Sequence, residues 1–173
     1  MYFSKKGKEN SKDTVELALR TARERNIKYI VVASSKGETA KLMKGVKDLQ
    51  VVVVTHANGY PEEGKMEFPA DIRSYLENNG IKVLTTTHVL SGAERGISKV
   101  FGGVNAVEII AQTLRTFGQG TKVCVEIAIM ALDAGFIPYG EPVISIGGSA
   151  RGADTALIVT PSHASSVFST RIH

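Results

Sequence analysis

The sequence predicts an α/β fold: a mostly parallel sheet, wound by helices on both faces, that ends in an antiparallel strand. Three observations predict it. Residues 27–33 (IKYIVVA) and 50–55 (QVVVVT) are short β-branched runs without polar alternation, the pattern of strands buried on both faces. A helical stretch separates them, so they join as a right-handed βαβ unit with parallel strands. Residues 142–146 (PVISI) and 155–160 (TALIVT) are separated by eight residues, too few for a crossover helix, so this pair closes as an antiparallel hairpin.

Each element follows from a local signal. Asp13 and Glu16 have capping-box spacing, and Val15, Ala18, Leu19 and Ala22 recur at helical intervals, which predicts a first helix ending near Asn26. After the first strand, residues 34–37 turn the chain, and Thr39, Leu42, Met43 and Val46 mark a second helix. Residues 56–68 form a polar loop long enough to be functional or mobile. Pro69 opens a third helix with Ile72, Tyr75 and Leu76 on its inner face and Gly80 as its stop. Residues 81–87 (IKVLTTT) are a third strand. Three helical pieces follow, 91–101, 105–117 and 121–134, with Gly118 and Gly120 between the last two. That is more than one crossover needs. The expected total is five strands in one domain spanning residues 1–173, without repeat or linker.

Composition narrows the function classes. A chain of 173 residues, 43% apolar and 22% charged, has the composition of a soluble globular protein. Its one cysteine, Cys124, allows no internal disulfide and points to a reducing compartment. No tryptophan and 6% aromatics argue against a stacking platform for nucleic acid. Residues 1–50 hold 12 Lys and Arg against 6 Asp and Glu, and the remainder 9 against 11. The basic front half either attracts an anion or is a solvated helix face, and it is too sparsely clustered for nucleic acid. The longest apolar stretch, 123–137, is broken by Glu126 and Asp133, and no signal-peptide core precedes it, so a cytoplasmic protein without a membrane span is expected. The histidines, at 56, 88, 163 and 173, lack metal-ligand spacing, and no metal is expected.

Ligands of open α/β sheets bind beyond the carboxyl ends of the strands, so candidate site residues are those that follow each strand. After the first strand come Ser34, Ser35, Lys36, Gly37, Glu38 and Thr39, leading into a helix. Ser35 and Glu38 have capping-box spacing and could simply start that helix. Free N–H groups, hydroxyls and a lysine at a strand-to-helix turn also suit a phosphate. Neither a Walker loop nor GxGxxG is present. After the second strand, Thr55 and Gly59 either face the ligand or merely serve an Asn-Gly turn. After the third come His88, Ser91, Gly92 and Arg95: Arg95 either clamps an anion or pairs on the surface, and His88 is an acid–base group or a structural residue. After the fourth, Gly147, Gly148, Ser149, Arg151, Gly152 and Asp154 permit a nest of N–H groups, with Asp154 accepting ligand hydroxyls or holding Arg151. Glu126, Met130 and Asp133 share a helix face, so the two carboxylates could look at one site or form a polar stripe; Cys124 reads as a small core residue.

The runs IVVASSKGETA (30–40) and VVVVT (51–55), with LSGAERGISK, KVCVEIAIMALDAG and GGSARGADTA, carry a resemblance over about residues 11–162. The chain resembles the C-terminal domain of pyruvate kinase, and more closely the small stand-alone prokaryotic proteins like that domain. The resemblance implies a three-layer α/β/α domain with a five-stranded sheet whose last strand is antiparallel. It implies flavin mononucleotide (FMN) in some members. Carried over, the 5′-phosphate would sit at Ser34, Ser35, Gly37, Glu38 and Thr39, and the ribityl and ring would extend toward Thr55, the 91–95 turn and the 147–154 turn. Pyruvate kinase activity is not expected, because the sequence holds neither the catalytic barrel nor the lid domain.

Three functions of different class follow. The first is an FMN-binding protein, an oxidoreductase if it is an enzyme. The second is a non-catalytic regulatory or binding domain for a phosphorylated metabolite. The third, with little support from spacing, is a hydrolase or lyase using Glu126 or Asp154. In each of the first two the partner is a phosphate-bearing small molecule. Such domains often self-associate, and no apolar stripe in the sequence marks an interface.

Overall fold

The β-branched runs become the central strands, and their lack of alternation is explained by cover on both faces. The computed structural model describes residues 2–173. Its sheet runs β3-β2-β1-β4-β5-β6, formed by β1 (Tyr29–Ala33), β2 (Gln50–Val54), β3 (Lys82–Leu84), β4 (Val143–Gly147), β5 (Thr155–Thr160) and β6 (Arg171–Ile172). β1 lies parallel between β2 and β4, with Val31 opposite Val52 on one side and Ser145 on the other. β3 is parallel to β2, and β5 is antiparallel to β4.

Alternate residues of each strand feed two cores. Ile30, Val32, Val51, Val53, Ile144 and Ile146 pack under α1 (Ser11–Glu24) and α3 (Ala70–Asn78) through Val15, Ala18, Ala22 and Leu76. Val31, Val52, Val54, Val143 and Val159 pack under α6 (Gln119–Asp133) through Ile127, Ala128, Met130, Ala131 and Leu132. Three layers result, α/β/α, as the period-two geometry of a doubly covered strand requires.

Several expectations are corrected. The sheet has six strands, not five, and two antiparallel pairs, because the two-residue β6 adds to β5. Two residues carry no periodicity, so only the path of residues 161–170 brings them there. β3 stops at Leu84 because Thr85 leaves the ladder, its hydroxyl meeting that of Thr55 at 2.7 Å and the Arg73 guanidinium. The second helix, α2 (Glu38–Lys41), is a single turn. Tighter turns continue it, with the N–H groups of Leu42, Met43 and Lys44 each bonded three residues back, and this still delivers Met43 and Val46 to the core. α1 starts at Ser11 rather than Asp13, because the Ser11 hydroxyl receives the N–H of Ala153 at 2.9 Å. α4 (Ala93–Phe101) and α5 (Ala106–Arg115) complete the predicted trio with α6. The capping box there is Asn105 and Glu108, the carboxylate accepting the Asn105 N–H at 2.9 Å; Glu94 instead accepts the N–H of Gly92. Gly120 falls inside α6 rather than between two helices.

α4 buries none of its residues, and Ile97, Val100, Phe101, Val104, Ile109 and Phe117 on or beside α4 and α5 are exposed. This apolar face was not anticipated from the sequence, because its members are spread over three short segments. Among the described residues no helix is long and apolar enough to cross a membrane.

Candidate functional site

The strand order reverses between β1 and β4: the chain runs outward through β2 and β3, then returns to the other side of β1. The carboxyl ends of the two strands diverge there, and a crevice opens. A cleft of about 1140 Å³ occupies this point, bordered by residues following all four parallel strands, by the first half of α6 and by the N-terminal segment at Lys8 and Lys12.

Twelve of the seventeen expected residues border it: Ser34, Ser35, Lys36, Glu38, Thr39, Thr55, Ser91, Arg95, Gly148, Ser149, Arg151 and Gly152. Their roles differ. The Ser34 residue is buried, and its hydroxyl accepts the N–H of Ala40 at 3.2 Å, which ties it to α2 and leaves its own O–H to donate. The N–H groups of residues 35–39 have no hydrogen-bond partner among the described residues. Five donors therefore remain available at this turn. Because α2 is one turn long, its dipole adds little, and the donors themselves carry the electrostatics. Lys36 lies 3.5 Å from Glu67, whose carboxylate also holds His56 Nδ1 at 2.7 Å, tying the 56–68 loop to the turn. The Glu38 carboxylate pairs with Lys41 at 2.7 Å, which holds it below its ordinary value. The Thr55 hydroxyl is spent on the His56 carbonyl and on Thr85.

The other five do not border the cleft. Gly37 (φ +85°) turns its back to it, and a Cβ there would meet Ile72 Cδ1 at 2.6 Å. Gly59 sits in the 56–68 loop, its N–H bonded to the Lys65 carbonyl. Gly92 is the N-cap of α4. Gly147 ends β4 against the Gly120 carbonyl and Cys124. Asp154 does not hold Arg151: it accepts the N–H groups of Gly7 (2.9 Å) and Ser149 (3.2 Å) and the Thr155 hydroxyl (2.8 Å). It fastens the N-terminal segment to the glycine turn. Gly152 (φ +78°) serves the same junction, where a Cβ would lie 2.6 Å from Lys8 Cα.

At the cleft floor lies a cluster that sequence spacing did not assemble. Glu126, 2% exposed in its side chain, receives Lys122 Nζ at 2.5 Å and the Leu90 N–H at 3.1 Å. His88 Nδ1 stands 3.4 Å from the same carboxylate, and His88 Nε2 lies 3.3 Å from the Thr55 carbonyl. Burial pushes the Glu126 carboxyl up, but His88 and Lys122 outweigh it and hold the group below its ordinary value. Burial pushes the Lys122 ammonium down, and the charge of Glu126 does not fully restore it. Asp133, expected on the same face, points elsewhere: at the far end of α6 it binds His163 Nδ1 at 2.7 Å and the Ala164 N–H. The two carboxylates do not share a site. Cys124 is a core residue, its thiol pushed up to about 12 by burial.

Sequence inspection also missed Lys8, Lys12, Lys99, Arg115, Lys122, Tyr60 and Glu67, all of which border the cleft. The basic excess of residues 1–50 was the one available signal, since Lys8, Lys12 and Lys36 all come from it. In all, eight Lys and Arg face four Glu around the cleft, so the walls are positive.

The fold and cleft define a mixed α/β protein with a crevice at the topological switch point. The family model described as pyruvate kinase, alpha/beta domain, matches residues 12–159, and the chain belongs to that family. Among solved structures it is similar to a pyruvate kinase of Cryptosporidium parvum at 15% identity, with 86% of this chain and 22% of that chain covered and a TM-score of 0.45. The same enzyme in complex with ADP gives 17%, 86%, 22% and 0.42. The chain thus spans about a fifth of the length of these pyruvate kinases.

Proposed function

We propose that the cleft binds an organic phosphate, with FMN as the ligand, its phosphate on the 35–39 turn. One observation carries this reading: the 35–39 turn, whose N–H groups have no partner among the described residues, places Ser35, Lys36, Glu38 and Thr39 at a positively lined crevice at the switch point of the sheet. The volume of about 1140 Å³ is ample for a phosphate, a ribityl chain and a tricyclic ring. Ser35 and Thr39 add hydroxyls at the phosphate end. His56 and Tyr60, packed edge to face with centroids 4.7 Å apart, offer a wall for the ring at the mouth. FMN, when bound, supplies electron and hydride transfer, and an oxidoreductase follows if a second substrate reaches the ring. A non-catalytic module for another phosphorylated metabolite would use the same turn and leave the protein colourless.

The test is direct. Purified protein is expected to be yellow, or to become so with added FMN. At a hundredfold excess over Kd the ligand adds about 2.7 kcal/mol, or roughly 5–10 °C in Tm for a chain of this size. Protein that stays colourless and keeps its Tm with FMN eliminates the flavin. If inorganic phosphate also leaves Tm unchanged, the phosphate turn goes with it.

A further inference from the structure

α4 presents the reverse of an ordinary surface helix. Its polar residues are turned to the molecule: the Ser98 hydroxyl donates to Glu108 at 2.6 Å, Asn105 Nδ2 donates to the Glu94 carbonyl at 3.0 Å and to Ser98 Oγ at 2.7 Å, and Arg95 and Lys99 border the cleft. Its apolar residues are turned to water. Ile97, Val100 and Phe101, three and four positions apart, share one side of α4, and Val104 follows in the turn to α5. Val100, Phe101 and Val104 are 72–82% exposed, and α4 buries none of its nine residues. A helix of nine residues is marginal by itself and draws its order from packing an amphipathic face. The described residues put nothing over this face, so its cover comes from another molecule.

Charge and area decide which molecule. From Val100 to Leu114 the chain has one charged residue, Glu108, and its carboxylate is spent on the Ser98 hydroxyl and the Asn105 N–H. A strongly charged protein partner would find no counter-charge there. An anionic lipid surface is met by Lys and Arg flanking the apolar residues, but the nearest ones, Arg95, Lys99 and Arg115, border the cleft instead. A second copy meets the patch with the same patch, and in such a two-fold contact an uncharged surface brings no like charges together. With Ile109 and Phe117 included, at about 150–200 Å² for a large apolar residue, the exposed part amounts to on the order of 700 Å². That exceeds the largest patch of a typical monomer, roughly 300–600 Å², and approaches the roughly 800 Å² per partner of a stable interface.

We propose that the α4–α5 face is a self-association surface, on which two copies of this chain pack about a two-fold axis with Val100 and Phe101 at the centre. Nothing in this contact depends on the cleft being a ligand site.

Sedimentation velocity of the full chain tests it. At about 100 μM, well above the Kd of a stable dimer, the mass should be twice the 18.5 kDa of one chain. Val100→Glu/Phe101→Glu sets carboxylates against one another across the axis, should weaken association by about a hundredfold or more, and should halve the mass. Both side chains are exposed in one copy, so the variant keeps its fold, which circular dichroism checks. Hydrogen exchange needs no variant: in the unaltered chain, protection of the amides of residues 97–104 should fall on dilution as the mass falls. A larger even assembly that the variant halves sustains the same face. A single copy at the higher concentration, an odd multiple, a mass that the variant leaves unchanged, or protection that stays constant while the mass falls overturns the proposal. So does a single copy that sediments with phosphatidylcholine–phosphatidylglycerol vesicles, which would give the face to lipid.

Discussion

Replacing Glu126 by glutamine tests how far the cleft floor is removed from water. The swap is isosteric and keeps an oxygen for the Leu90 N–H, so packing is preserved while the one carboxylate paired with Lys122 among the described residues is lost. Lys122 and Glu126 have side chains 5% and 2% exposed, so solvent screens their 2.5 Å contact very little. Breaking a buried pair by removing one partner costs about 3–5 kcal/mol, because the other charge is left without compensation. Loss of the Lys122 proton relieves part of this, and we take about 3 kcal/mol. With a urea m-value of about 2 kcal/mol/M, the midpoint should fall by about 1.5 M. Adding Lys122→Met removes the orphan charge, and the double variant should recover most of the loss. The pH dependence has a definite sign. The folded state holds Glu126 below its ordinary 4.5, so its contribution is present above 4.5 and is lost as pH falls through the lower folded value. Lys122, also lowered, binds its proton less well when folded, so its ionisation costs stability at neutral pH and that cost fades as pH rises toward 10.5. Glu126→Gln should therefore lack the Glu126 share of the wild-type acid loss. A midpoint shift below about 0.5 M, with the double variant no better than the single, would refute the picture of a desolvated pair.

Three further outcomes are expected. Ser35→Ala/Thr39→Ala should weaken FMN binding about tenfold, measured by fluorescence titration, because two hydroxyl donors go while the N–H groups stay; unchanged affinity would move the phosphate elsewhere. Gly152→Ala should cost about 2–4 kcal/mol in urea unfolding, since φ +78° disfavours a side chain and the Cβ would press on the Lys8 backbone; a cost under 1 kcal/mol would mean the N-terminal segment is not docked. Cys124, with its thiol pushed up to about 12, should resist iodoacetamide at pH 8 in the folded protein and react once urea unfolds it; rapid native labelling would contradict its burial.

Much of the architecture was legible because it is written at short range. Residues 30–33 and 51–54 have nothing but β-branched and small side chains to offer, and a strand covered on both faces is what such runs make. Pro69 and Gly80 bracket the third helix by their own backbone restrictions. The cleft edge was legible for the same reason: it lies where the strands end, and twelve expected residues border it. Local patterns misled where a distant partner set the outcome. Asp154, read as a ligand or Arg151 partner, is taken by the N–H of Gly7 across 147 positions of sequence. Glu126 and Asp133 share a helical face on paper, yet Glu126 lies midway along α6 and Asp133 is its last residue, where it meets His163 instead.

What the sequence by itself determined is the family, most of the strand and helix content, and the edge of the sheet at which the cleft opens. Each depends on side-chain periodicity or on backbone restrictions within a few residues. Only the tertiary structure decided which charges meet. It joined His88 after β3 to Lys122 and Glu126 in α6, and brought Arg95, Arg115, Lys8 and Lys12 to the border of the same cleft. A Coulomb interaction acts over ångströms of space and carries no trace in the order of the chain, so the electrostatics of the cleft appear only once the fold has brought its walls together.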